Sequence, residues 1–158
     1  MSQTLRLGIA GLGTVGVGVL RIVQDQATLL AARCGRSIVI SAVSARSRSK
    51  DRGVDLSGLA WEDSPEALAL RDDVDVFIEV MGGHEGAARE AITAALRAGK
   101  HVVTANKALL AIHGQSLAEL AEDQGVALRY EAAVAGGIPV VKALTEGLAA
   151  NRMTRVLG

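Results

Sequence analysis

Aromatic side chains are almost missing: the 158 residues include one Phe, one Trp and one Tyr. A protein that grips single-stranded nucleic acid by stacking needs more rings than that. The core must instead be built from Val, Leu, Ile and Ala, and hydrophobic residues make up 49% of the chain. An aliphatic interior of this kind suits parallel strands covered by helices on both faces. Neither sign of charge is in excess, with 17 Lys and Arg against 17 Asp and Glu. That balance argues against a nucleic-acid surface, so any bound anion must be small and held locally. Cys34 is the one cysteine. No internal disulfide can form, which favours a reducing, cytoplasmic setting. No apolar run approaches the ~20 residues needed to cross a bilayer. The start, Met1-Ser2-Gln3-Thr4-Leu5-Arg6, lacks the charged-then-apolar pattern of a secretory signal. Repeats and low-complexity tracts are also missing. The length fits one domain able to bury a core without disulfides or metals.

What remains is an alternation of short apolar runs and longer helical stretches. Leu5 to Ala10 reads as a first strand, and residues 14–32 as a helix with Val15, Val19, Ile22, Val23 and Leu30 at helical spacing. Ile38 to Ala45 is β-branched and reads as a second strand. Residues 46–60 form a polar loop, with a weak third strand near residues 59–61. Ser64-Pro65-Glu66 starts a short helix, Ser64 as its cap and Pro65 in its first turn. Val74 to Met81 reads as a strand, Gly83 to Ala98 as a helix ended by Gly99, and His101 to Ala105 as a strand. Ser116 to Gln124 reads as a helix stopped by Gly125. Val126 to Ala132 reads as a strand, Ile138 to Ala150 as a helix, and Arg152 to Leu157 as the start of one more strand. This βα alternation predicts an α/β, Rossmann-type doubly wound fold, its mostly parallel sheet carrying helices on both faces. Ligands on such a sheet bind beyond the C-terminal ends of the strands.

Gly11-Leu12-Gly13-Thr14-Val15-Gly16 fits G-x-G-x-x-G, follows an apolar strand and opens a helix, as a dinucleotide fingerprint requires. The first glycine permits a tight turn, the second lets backbone approach a pyrophosphate, and the third lets the helix pack close. The phosphates then meet free N–H groups at the positive end of the helix dipole. A structural strand-to-helix turn in an unrelated α/β protein is the plainer alternative.

In NAD-selective domains an acidic residue ends the second strand and binds the ribose hydroxyls. Here that point reads Ser44-Ala45-Arg46-Ser47-Arg48-Ser49-Lys50, without a carboxylate. A guanidinium binds a 2′-phosphate with two hydrogen bonds, whereas a carboxylate would repel it. NADP(H) is therefore the expected cofactor, with Arg46 the first candidate and Arg48 or Lys50 assisting; a solvated basic loop is the other reading, and NAD(H) is not excluded.

Further candidates follow the later strands. Glu79-Val80-Met81-Gly82-Gly83 ends a strand, and its paired glycines suit close approach to ribose or nicotinamide. His84 reads as an ordinary polar residue at a helix start, because no second metal ligand lies at a sensible spacing. In Thr104-Ala105-Asn106-Lys107, Lys107 would point into the cleft, where it could bind cofactor, orient substrate or relay a proton. A surface lysine at a helix start fits that position equally. Glu131 to Pro139 (EAAVAGGIP) is nearly all small or apolar residues apart from Glu131. One carboxylate beside free backbone carbonyls suits a hard monovalent cation, and close packing of small residues explains the stretch as well.

Taken together, GLGTVG at 11–16, the 79–83 strand end, TANK at 104–107 and EAAVAGGIPVVK at 131–142 resemble homoserine dehydrogenase over essentially the whole chain. The resemblance implies NAD(P)-dependent interconversion of L-homoserine and L-aspartate 4-semialdehyde, a step toward threonine, methionine and isoleucine. It implies cofactor contacts from Thr14 and Val15, from the arginine after the second strand and from Lys107; together with the readings above, the expected cofactor residues are Gly11, Leu12, Gly13, Thr14, Val15, Gly16, Arg46, Arg48, Met81, Gly82, Thr104 and Lys107. It also implies sodium at Glu131, Val134, Gly136 and Ile138. Family members continue past the point matching Gly158 into a substrate and dimerisation domain that carries the homoserine-binding acids and the proton-donating lysine. The expectation is thus a cofactor-binding fragment over residues 1–151, with residues 152–158 entering the second domain. On its own it would lack catalysis, Lys107 at most assisting, and the parent would form a homodimer or higher homo-oligomer. The rival readings are a dehydrogenase for another semialdehyde or amino acid, and a non-catalytic nucleotide sensor.

Overall fold

A computed structural model describes residues 4–155 and 157. Six strands form one sheet: β1 (Leu5–Ala10), β2 (Ile38–Ser44), β3 (Ala60–Glu62), β4 (Val76–Glu79), β5 (His101–Thr104) and β6 (Leu128–Arg129). Their order is β3-β2-β1-β4-β5-β6, and all five pairings are parallel. The order reverses direction between β1 and β4, which opens a crevice at their C-terminal ends, the usual place for a ligand in such a sheet.

Alternate residues of each strand feed opposite faces, as the two-residue side-chain period requires. Leu7, Ile9, Val43, Val76 and Ile78 form one cluster with Leu20 and Val23 of α1 (Thr14–Asp25). Ala10, Ala42, Phe77 and Val102 form the other, under α3 (Pro65–Leu70), α4 (Ala87–Arg97) and α5 (Lys107–Asp123). Phe77, Ile9, Leu20 and Ile92 are wholly buried, each worth about 1.5–3 kcal/mol of transfer free energy. Gly8 lies where an added Cβ would meet both γ-methyls of Val74 at 3.0 Å, so α3 and its exit loop sit tight on β1. At the opposite end of the sheet from the crevice, Arg6 grips Asp75 with Nε and Nη2 at 3.1 and 2.6 Å, and Asp75 also accepts the Arg6 amide at 2.8 Å. That hydrogen-bonded guanidinium holds the Asp75 carboxyl below the usual carboxylate range.

Several elements differ from expectation. The helix expected over 14–32 is two, α1 and α2 (Ala27–Cys34), bent by 79° at Gln26. The bend keeps Leu30 against the core cluster of Val19 and Val23. Among the described residues no single helix is long and apolar enough to cross a membrane. The helix expected from Ser116 starts nine residues earlier at Lys107, because Asn106 caps it, its Oδ1 accepting the Leu109 amide at 3.1 Å. The strand expected over 126–132 pairs only at Leu128 and Arg129. It is followed by 3₁₀ turns at Glu131–Ala133 and Ala135–Gly137. The helix expected over 138–150 is one α turn, α6 (Val140–Lys142), running into a π-type turn at Ala143–Gly147. Neither piece buries a residue, and helices draw most of their stability from packing an apolar face. The strand expected at 152–157 is absent from its described residues, which are irregular; Val156 and Gly158 of that segment lie outside the described residues.

Candidate functional site

The loop after β1 distinguishes its three glycines sharply. Gly11 has φ +102°, and an added Cβ would lie 2.7 Å from the Val80 carbonyl oxygen. At Gly16 the same atom would lie 1.9 Å from the Gly11 carbonyl oxygen. Both glycines are therefore demanded by the protein's own packing. Gly13 is different: its φ is −82°, which any residue adopts, and a Cβ there would meet nothing within 4 Å. Its openness faces outward at the N-terminus of α1. No side chain caps that helix, and its first turn carries no acidic residue. The amides there are free to receive an anion, with the helix dipole behind them. Thr14 and Val15 are exposed on this turn, whereas Leu12 and Gly16 are buried and contribute through backbone alone.

The basic loop after β2 borders this turn. Arg46, Arg48 and Lys50 are exposed, and β2 ends at Ser44 without a carboxylate. Arg52 was not singled out in the sequence, yet it ties the two loops together. Its Nε donates to the Leu12 carbonyl at 3.2 Å, and Nη1 donates to the Lys50 carbonyl at 2.7 Å. The guanidinium groups of Arg48 and Arg52 lie over the Trp61 ring, 5.9 and 5.6 Å from its centroid, close enough for cation–π attraction. The signal for Arg52 was a fourth cation in seven residues, but its partner Leu12 lies 40 positions away.

Across the crevice, Gly82 and Gly83 are exposed, both at φ +85°, with open space where a Cβ would stand. Met81 is half-buried beside them. Thr104, expected among the cofactor contacts, is wholly buried, and its hydroxyl is spent on Glu79 at 2.6 Å. Its side chain therefore supports the site from below. Lys107 is exposed at the first position of α5. It borders an open cleft of about 450 Å³ shared with Tyr130, Ala133 and Val134.

Glu131, half-buried, turns its carboxylate onto the start of α6: Oε1 accepts the Val141 amide at 3.2 Å and Oε2 the Lys142 amide at 3.1 Å. The carbonyls of Val134 and Ile138 each accept one backbone bond, from Gly137 and Val140, and a carbonyl oxygen has a second lone pair free. Gly136 sits between them in a left-handed conformation, φ +64°. The donor set is oxygen only, which suits a hard cation and not a softer transition metal. Among the described residues no three His, Cys, Asp or Glu side chains gather as a metal site.

Known proteins resemble this chain in sequence and in fold. The family described as "Homoserine dehydrogenase, NAD binding domain" matches residues 11–131. A homoserine dehydrogenase of Neisseria gonorrhoeae is 48% identical over 156 residues, covering 99% of this chain and 35% of that protein. One from Mycobacterium bovis is 47% identical over 152 residues, covering 96% of this chain and 34% of the relative. The solved homoserine dehydrogenase of Thiobacillus denitrificans superposes with a TM-score of 0.85 at 41% identity, over 95% of this chain and 34% of that one. An S. aureus homoserine dehydrogenase does so at 0.78 and 37%, over 85% and 33%. The chain thus spans about a third of the length of the curated relatives it matches. With the fingerprint glycines and five of the six strands inside the matched span, the chain belongs to the family of homoserine dehydrogenase NAD-binding domains.

Proposed function

We propose that this chain holds NADP(H) for the reversible interconversion of L-homoserine and L-aspartate 4-semialdehyde. The observation that carries the reading is the contrast within the glycine loop, where Gly11 and Gly16 are closed by the protein and Gly13 is left open. Among the described residues no neighbouring atom demands glycine at position 13, and a close-lying ligand is the reason for it. The bound dinucleotide supplies or accepts a hydride at its nicotinamide ring. The protein's part is to bind and align. The free amides of the α1 turn take the pyrophosphate. Arg46, with Arg48 and Lys50 beside it, takes the 2′-phosphate, a task for which a forked guanidinium is suited. Met81 and Gly82 flank the nicotinamide ribose. Lys107 orients the polar end of the substrate or cofactor. Glu131 and the backbone carbonyls of Val134, Gly136 and Ile138 would hold sodium, which would stiffen the turn beside that cleft. Residues 1–151 are the NAD(P)-binding domain. The substrate-binding and subunit surfaces belong to the part of the relatives' length that this chain does not span.

Calorimetric titration with NADPH and with NADH tests the cofactor reading. The expected outcome is NADPH binding at least about tenfold tighter, with Arg46→Ala removing most of that preference, about 1.4 kcal/mol or more. Equal affinities would overturn the choice of NADP(H). A folded chain that binds neither would overturn the cofactor reading itself.

A further inference from the structure

A buried carboxylate needs a reason, and Glu79 is one that has no ion-pair partner among the described residues. It ends β4 and is 0% exposed. Leaving water is costly for an ionised group unless strong hydrogen bonds replace it. Glu79 has three. Its Oε1 accepts the amides of Met81 and Gly82 at 2.7 and 3.3 Å, and its Oε2 accepts the Thr104 hydroxyl at 2.6 Å. Bonds to an ionised acceptor are about twice as strong as neutral ones.

The chain of bonds continues. Thr104 Oγ1 accepts the Asn106 amide at 3.0 Å. Asn106 is 6% exposed, and both ends of its amide are used. Oδ1 accepts the Leu109 amide and caps α5, while Nδ2 donates to the Gly83 carbonyl. One network therefore joins the loop after β4 to the loop after β5. On its outer side stand the two open glycines, 82 and 83, and the exposed Lys107. Its donors and acceptors come from 79–83 and 104–109; residues 11–16 and 46–52 are not among them.

We infer that Glu79, Thr104 and Asn106 are positioning residues for the nicotinamide half of the dinucleotide, acting through the Gly82-Gly83 loop and Lys107 without touching the ligand. The inference rests on the cofactor reading above. It has a consequence that mere structural support lacks. A loss of fold stability weakens every ligand alike. A loss of this network should weaken only a ligand that reaches the ends of β4 and β5.

The test is titration of the chain and its Asn106→Ala variant with NADPH and with adenosine 2′,5′-bisphosphate, which has the adenine, the 2′-phosphate and the nearer of the two bridging phosphates but no nicotinamide. Asn106→Ala should weaken NADPH at least about tenfold, the size of one broken buried hydrogen bond, and change the bisphosphate less than about twofold. Asn106→Asp keeps the acceptor that caps α5 but cannot donate to Gly83; it should show the same selective loss, and it carries the test if the alanine variant fails to fold. Equal weakening of both ligands, or unchanged NADPH affinity in Asn106→Asp, overturns the inference while the wild-type titration leaves the cofactor reading standing. A wild-type chain that binds neither ligand removes the cofactor reading and this inference with it.

Discussion

Adding one methyl group at Gly16 and, separately, at Gly13 should produce opposite results, because the two glycines answer to different partners. In Gly16→Ala the new Cβ falls 1.9 Å from the Gly11 carbonyl oxygen and 3.2 Å from a Val80 methyl. The obstacle is backbone, so α1 must retreat by about 1 Å to restore a normal contact. Overpacking costs about 1–3 kcal/mol, and rigid surroundings put this case in the upper part of that range. For a chain of this size each kcal/mol lowers Tm by about 2–4 °C. In Gly13→Ala the methyl enters open space at a compatible φ of −82°. Restricting the unfolded chain gains about 0.4–1 kcal/mol. Losing glycine at a helix cap costs a similar amount. The two offset, so the melt should move by no more than about 0.5 kcal/mol. The same methyl occupies the space proposed for the pyrophosphate, and a clash of about 1–3 kcal/mol weakens NADPH roughly 5- to 150-fold. Differential scanning calorimetry and titration calorimetry on both variants read the two effects. A Gly13→Ala variant that binds NADPH like wild type would refute the argument that ligand, not fold, requires this glycine. A Gly16→Ala variant that melts like wild type would refute the packing argument.

Two further outcomes are expected. Asp75 has its folded-state pKa depressed, chiefly by its hydrogen bond with Arg6, so its contribution is present above the unfolded value near ~3.9 and is lost as pH falls through the lower folded value. Asp75→Asn should therefore lower Tm at pH 7, and its gap from wild type should shrink by pH ~3; a gap constant with pH would show that the ion pair is not the cause. If Glu131 helps to hold sodium, wild type should melt at higher temperature in sodium chloride than in choline chloride at equal ionic strength, and Glu131→Ala should abolish that difference; an unchanged difference would remove Glu131 from the site.

How much of this was legible depends on how far each interaction reaches along the chain. The glycine fingerprint is local, six residues running from the end of β1 into the first turn of α1, and strand, turn and helix all announce themselves in sequence. The βα alternation predicted the parallel sheet for the same reason, since apolar period and turn residues are read within a window of a dozen positions. Arg52 was missed because the carbonyl it grips belongs to Leu12, 40 positions earlier. Thr104 was placed at the ligand, although its hydroxyl points to Glu79, 25 positions away. Two signals were readable and went unused. A carboxylate ending the apolar run VFIE at 76–79 marks Glu79, and an asparagine before a helical run marks Asn106 as a cap. Beyond residue 130 the pattern predicted a full strand and a helix, and the described residues form short turns. Small residues such as Ala135, Gly136 and Gly137 satisfy either reading, and only packing partners decide between them.

A net charge of zero, which argues against a nucleic-acid surface, hides a segregation. The carboxylates at the crevice-distal end of the sheet are spent on stability: Asp75 pairs with Arg6, and Asp73 with Arg71 at 2.7 Å. Burial lowers the Lys100 pKa, and its ammonium donates to the Arg71 carbonyl on that side. The four cations at 46, 48, 50 and 52 take part in none of the ion pairs among the described residues. Pairs that are about two-thirds buried are screened weakly by salt, whereas free surface cations act over a Debye length of about 8 Å at physiological ionic strength. Four cations within seven residues, none in those ion pairs, therefore gather in the loop beside the α1 turn. A polyanion is too long to be neutralised by so small a patch, and a compact phosphate is not. Overall charge balance and local anion binding are thus compatible, and the local imbalance is the feature that bears on function.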